Sequence, residues 1–184
     1  MYAKEMVKQS LPLIVFCGLG AIVAGSTLGV MTDLFLEIPG LIVVIPAIIA
    51  LRGNISTAFG SRLGSAYHLG IIDADNLWNE ELKQNVIGSL MLSFFVSIII
   101  GVLAYVTSIL MNVYPNPIKI ISIVLIAGII SGVILTILTI SIIYLVFKRG
   151  YDPDNITGPA LATFGDIITM LCIFGSAVLV EVIL

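Results

Sequence analysis

Apolar residues run along this chain in long blocks, and polar or Pro/Gly clusters near residues 32–38, 60–84, 112–117 and 148–156 cut the blocks apart. Each block has, or nearly has, the roughly 20 residues that a helix needs to cross the hydrocarbon core of a bilayer. The pattern predicts helices over 11–31, 39–59, 85–111, 118–147 and 157–184. Five crossings would put the two termini on opposite sides. Lys4 and Lys8 precede the first block and small residues follow it, as in a signal peptide, but the block is too long for one.

Composition strengthens this reading. Hydrophobic residues make up 59% of 184 positions and charged residues only 10%, and the mean hydropathy is +1.19, far from globular usage. The expected fold class is all-α integral membrane, a single multi-pass domain over residues 1–184 in the cell membrane. Charge then orients it. With the N-terminus cytoplasmic, Lys4, Lys8, Arg52, Arg62, Lys83, Lys148 and Arg149 fall on or near the inner side and only Lys119 falls outside. That bias predicts N-in and C-out, with Arg52 snorkelling inward from the second helix.

Soluble chemistry finds little support. Cys17 and Cys172 both sit inside predicted membrane helices and read as small buried hydrophobes. His68, with no cysteine or carboxylate close by in sequence, is a poor metal ligand, and Trp78 reads as an interfacial anchor. The segment IIDADNLWNEELKQ sets Asp73, Asp75, Glu80 and Glu81 against Lys83, but it lacks the turn glycine of an EF-hand loop. A solvated connector is the plainer reading. No nucleotide-binding loop and no Ser/His/Asp arrangement is apparent, so neither an enzyme nor a nucleic-acid partner is expected.

The helices themselves carry small-residue seams and a polar stripe. Ala21, Gly25 and Gly29 recur every four residues in the first helix, as do Gly128 and Gly132 in the fourth, a spacing that lets backbones approach in lipid. The glycines Gly29 and Gly132 are offset by 103 and the asparagines Asn54 and Asn155 by 101, a hint of an inverted repeat; coincidence between short oily strings explains it equally well. In the second helix, Asn54, Thr57, Ser61, Ser65 and His68 follow at helical spacing with Gly53, Gly60 and Gly64 beside them. Pro46 leaves the Ile42 carbonyl without its helical donor.

In the fifth helix, Asp152 and Pro153 suit an N-cap and first helical position, and Asp154 complements the positive helix end. Asn155, Gly158, Pro159, Ala162 and Thr163 lead to Asp166, about 21 Å along the axis from Asp152 at ~1.5 Å per residue. A carboxylate at such depth costs about 2.5–3.5 kcal/mol and faces a bundle interior or a wet cavity. Its partner is either a neighbouring helix, with the acid protonated, or a cation.

Two strings carry a resemblance. PAIIALRGNISTAFGSRLGSAYHLG, residues 46–70, and DPDNITGPALATFGD, residues 152–166, resemble the second- and fifth-helix signatures of the MgtE-like magnesium transporters, especially the solute-carrier branch found in animals. With the five-helix layout, the resemblance covers essentially the whole chain. It implies a Mg²⁺ channel or transporter with its pore on a homodimer axis, lined by the second and fifth helices. Asp166 would bind the hydrated cation, with Ala162 and Gly158 lining the pore one and two turns earlier. Gly53, Asn54 and Thr57 would line it from the second helix, and Asn155 lies on the same face as Asp166. Mn²⁺ or another hard divalent ion would substitute for Mg²⁺ at such an oxygen-only site.

Two departures from the family pattern bear on assembly. Bacterial members carry a large cytoplasmic N-terminal domain and sensor modules, whereas roughly ten residues precede the first predicted helix here, so no sensor domain is expected. The solute-carrier branch joins two five-helix units, so a homodimer or a partner subunit is expected to supply the second, and a separate cytoplasmic regulatory subunit is a further possible partner. A Na⁺- or H⁺-coupled exchanger is the alternative within transport. A non-transporting membrane scaffold and a lipid enzyme are more remote.

Overall fold

The computed structural model describes residues 2–72, 78–149 and 153–184, with the side chains of residues 2–6, 8–10, 13 and 153–156 outside that description. Asp73, Asp75 and Asp152 therefore fall outside it, as do the side chains of Lys4, Lys8, Asp154 and Asn155. The described residues form six helices: α1 (Tyr2–Val30), α2 (Thr32–Glu37), α3 (Leu41–His68), α4 (Glu80–Leu110), α5 (Pro117–Lys148) and α6 (Pro153–Ile183). Leu41–His68, Glu80–Leu110, Pro117–Lys148 and Thr157–Ile183 are long and apolar enough to cross a bilayer, whereas Ile14–Val30 is a shorter apolar helix. The chain is a multi-pass membrane protein.

Local chemistry sets the ends. Asn79 caps α4 by accepting from the Leu82 N–H at 2.9 Å, and Glu80 and Glu81 meet the positive end of that helix. Asn116 caps α5 by accepting from the Ile118 N–H at 2.9 Å, with Pro117 at the first helical position. Gly40 enters α3 at φ 85°, and a Cβ there would lie 2.6 Å from Ser108 Oγ, so both the dihedral and the close approach to α4 require glycine.

Three expectations change. Helix α3 runs to His68 rather than stopping near 59, because Ser61, Arg62 and Ser65 continue the helical turn after hydropathy falls. The connector between α1 and α3 contains the short helix α2, carrying the exposed Asp33 and Glu37. Arg52 does not snorkel: it is 1% exposed inside the bundle, so it drops out of the charge count that orients the chain. The two glycine pairs also differ. A Cβ at Gly25 or Gly29 would meet nothing within 4 Å, whereas Gly128 and Gly132 are both crowded by α4 side chains. The repeat reading gains nothing from them.

The core has two apolar clusters. One, toward the Gly40 end, gathers Leu41, Val44, Ile45 and Ile48 of α3 with Ile120, Ile123 and Val124 of α5 and Met170, Ile173 and Ala177 of α6. The other, toward the His68 end, packs Phe59 and Leu63 of α3 on Leu82, Ile143 and Phe147, with the Tyr67 and Phe147 rings stacked at 3.6 Å. Between them lies a polar belt containing Arg52, Ser56, Ser93, Ser97, Ser131, Thr136 and Thr139. Most of its hydroxyls donate to a carbonyl one turn back, such as Ser131 to Ala127 at 2.6 Å and Thr136 to Gly132 at 2.8 Å.

Small residues at four-residue spacing on α4, Ser89, Ser93, Ser97 and Gly101, admit α5 to close range. A Cβ on Gly128 would run into the Ser97 side chain, and one on Gly101 would lie 3.2 Å from the Ile121 backbone. Gly128→Val is therefore expected to destabilise the detergent-solubilised protein by about 1–3 kcal/mol, while Gly88→Val, with nothing within 4 Å, should fall within about 0.5 kcal/mol of wild type. Thermal unfolding followed by size-exclusion chromatography compares the two; equal losses would contradict the packing described here.

Candidate cation site

Helices α3 and α6 pack antiparallel, and their shared outer face holds most of the residues singled out in the sequence. On α3, Asn54, Ser61, Ser65 and His68 are exposed, and Gly53 and Thr57 are half-buried. On α6, Ala162 is exposed, and Gly158 and Asp166 are half-buried. A Cβ on Gly53 or Gly158 would meet nothing within 4 Å, so this face is open rather than filled by the chain's own side chains. Asn155 belongs to α6, but its side chain is outside the described set.

The face divides into two hollows along the α3–α6 seam. Thr57, Gly60, Ser61 and Gly64 of α3 meet Thr157, Gly158 and Leu161 of α6 around a groove of about 220 Å³. Asp166 lies two turns further along α6, in a separate cleft of about 220 Å³ bounded by Ala21, Ala24, Gly25 and Leu28 of α1 and Ile45 and Ile49 of α3. Thr57 and Gly158 are thus brought together; Asp166 is not joined to them within one chain. Its cleft-mates are apolar or small, and it takes part in neither ion pair found among the described residues.

Local hydrogen bonds hold the walls. Thr57 donates to the Gly53 carbonyl at 2.7 Å and more weakly to that of Asn54 at 3.3 Å, stiffening α3 where glycine loosens it. Thr163 donates to the Pro159 carbonyl at 3.0 Å, and the Cys17 thiol donates to the same oxygen at 3.5 Å, tying α1 to α6. Gly20 permits that contact, since a Cβ there would lie 3.4 Å from Ile167 Cδ1 and would overlap Thr163. Toward the Gly40 end, Lys119 and Glu181 pair at 2.9 Å across α5 and α6.

Chemically, one chain offers a lone carboxylate, a row of hydroxyls and an amide on a surface that would otherwise contact lipid. Among the described residues no group of three or more His, Cys, Asp or Glu side chains is placed to hold a metal. The face suits a cation that keeps most of its water, because Mg²⁺ sheds that shell reluctantly and takes oxygen ligands. Sequence reasoning missed the part α1 plays in enclosing Asp166, and it missed the seat of Arg52 against Ser93 and Gly132. The four-residue recurrence of serine on α4 was the available signal for the second.

Comparison with known proteins bears on the same residues. A family profile described as MgtE, divalent cation transporter, matches residues 45–176, a span that contains the whole Thr57–Gly158 groove and the α3 and α6 walls of the Asp166 cleft but not its α1 wall. Solute carrier family 41 member 2 from Gallus gallus and from Homo sapiens are each 28% identical over 175 residues, covering 90% of this chain and 30% of theirs. Solute carrier family 41 member 3 from Rattus norvegicus is 26% identical over 166 residues, 85% of this chain and 35% of its own. The chain thus spans about a third of the length of these curated relatives. By the profile match over most of its length, from the Pro46 turn of α3 past Asp166 on α6, this chain belongs to the MgtE family of divalent cation transporters.

Proposed function

We propose that the chain carries Mg²⁺ across the membrane as a homodimer, with the pore on the two-fold axis between the α3–α6 faces of the two copies. Residues 1–184 act as one membrane unit of five crossings, α1 being the first, with the N-terminus inside and the C-terminus outside. Arg62, Lys83, Lys148 and Arg149 lie toward the His68 end and Lys119 toward the other, as the positive-inside bias requires of that orientation.

The observation that carries the reading is the open polar face. Asn54 and Ser61 are exposed on a helix whose neighbour would otherwise be lipid, Ala162 keeps the α6 side free of bulk, and Asp166 sits half-buried in the separate cleft against α1 without a cationic partner among the described residues. Hydrocarbon satisfies neither the Asn54 amide, the Ser61 hydroxyl nor the Asp166 carboxyl group. A second copy related by a two-fold axis turns each open face toward its twin and encloses water. Two Asp166 carboxylates then supply the charge for a hydrated dication. Asn54, Thr57, Gly53, Gly158, Ala162 and Asn155 line the path with hydroxyls, amides and bare backbone. Mn²⁺ fits the same oxygen site.

Replacing Asp166→Asn is expected to reduce Mg²⁺ uptake into reconstituted vesicles to background while the dimer still elutes at its usual volume. Uptake at the wild-type rate would remove Asp166 from the site. A second expectation concerns the exposed Asp33 and Glu37 on α2, which would concentrate cations near the pore mouth. Neutralising both should slow uptake severalfold at low ionic strength and have little effect near 0.15 M, where the Debye length is about 8 Å. Equal rates at both salt concentrations would remove the vestibule.

A further inference from the structure

Transport along the α3–α6 face gives Arg52 no task, yet it is the most costly residue in the bundle to bury. Its guanidinium is always charged and only 1% exposed, and it takes part in neither ion pair among the described residues. Nη1 donates to Ser93 Oγ at 2.7 Å and Nη2 to the Ser93 carbonyl at 3.5 Å, while Nε has no partner. Gly132 of α5 closes the other side: a Cβ there would lie 2.6 Å from Nη1 and 2.9 Å from Ser93 Oγ. Ser93 and Gly132 together make a slot one guanidinium wide.

Stability is a poor reason for such an arrangement, since an apolar side chain of similar volume would avoid the desolvation cost. Orientation is a better one. The rest of α3 meets its neighbours through apolar clusters, and the helix, although continuous, carries Pro46, Gly53, Gly60 and Gly64. Apolar contacts resist a small rotation weakly; a planar fork bonded to one serine at two points resists it strongly. Among the described residues these are the only side-chain hydrogen bonds from α3 to another helix. Asn54 lies two residues on, about 200° around the helix at 3.6 residues per turn, so seating Arg52 inside puts Asn54 on the open face.

We propose that Arg52 is a positioning residue: seated between Ser93 and Gly132, it sets the rotation of α3 that presents Gly53, Asn54 and Thr57 to the pore. What that face conducts rests on the function proposed above, but the rotation itself is read without any flux. The reporters are Asn54→Cys, on the open face, and Ser56→Cys, at a position 5% exposed on the Arg52 side, each placed in a chain whose Cys17 and Cys172 are alanine. A charged methanethiosulfonate reagent should label the first quickly and the second hardly at all.

In the Ser93→Ala or Gly132→Ala background, Asn54→Cys labelling should fall about tenfold and Ser56→Cys labelling should appear, the size expected for losing one charge-assisted hydrogen bond. Adding Arg52→Lys to Gly132→Ala should restore the original ratio and raise Mg²⁺ uptake toward wild type, because the slimmer ammonium reaches Ser93 past the new methyl group. General damage to packing would not be repaired that way. Should Gly132→Ala fail to assemble, Ser93→Ala, which removes a single oxygen, decides the matter. An unchanged labelling ratio in Ser93→Ala would overturn the proposal even if Asp166→Asn had abolished uptake. An altered ratio would sustain it even if uptake proved insensitive to Asp166.

Discussion

Hydrocarbon offers no hydrogen bonds, so every polar group that α3 and α6 carry into the bilayer must find its partner in protein or in water. The bundle answers that constraint in two opposite ways, leaving Arg52 Nε, Thr157 Oγ1, Thr169 Oγ1 and Ser176 Oγ as buried atoms without a partner among the described residues. On the inward side of α3, Arg52 is sealed against Ser93 and Gly132, and the neighbouring serines and threonines turn their hydroxyls onto carbonyls of their own helices. On the outward side, Asn54 and Ser61 are left exposed, with Asp166 half-buried on α6. A polar face left open in lipid lacks partners, and the proposed function supplies them with water and a second copy.

The same constraint explains where small residues fall. Between α4 and α5 they bring backbones together and exclude everything else, as at Gly101 and Gly128. Along the open face they leave the surface clear of side-chain bulk, as at Gly53 and Gly158, where nothing approaches an added Cβ. Glycine serves close packing in one place and clearance in the other. Helix α1 contributes mainly through its contact with α6 beside Asp166, where Cys17 and Gly20 approach Pro159 and Thr163. Its small residues Ala21 and Gly25 help to bound the cleft around the carboxylate.

Much of the fold was legible because apolar block length is a direct consequence of bilayer thickness. Each long helix overlaps its predicted block, although α1 starts at Tyr2 rather than near 11, and the stripe from Asn54 to His68 shows in the three- and four-residue recurrence of polar side chains. What was not legible depends on which surfaces meet. Hydropathy ended the second helix near residue 59 because Ser61, Arg62 and Ser65 are polar, although a helix keeps its hydrogen bonds after it leaves the oily core. Arg52 looked like a snorkelling residue from its own neighbours; its seat is made by Ser93, 41 residues away, and by a glycine on yet another helix. The separation of the Thr57–Gly158 groove from the Asp166 cleft is likewise a property of three packed helices rather than of either motif.

Anomalous scattering from Mn²⁺ in crystals of the assembled protein tests the account most directly. It predicts a peak on a two-fold axis between the Asp166 side chains of two copies, at a distance that leaves room for water, and a loss of that peak when Mg²⁺ is added in excess. Copies associated through another surface, with Asp166 turned toward lipid and no metal between the α3–α6 faces, would contradict it.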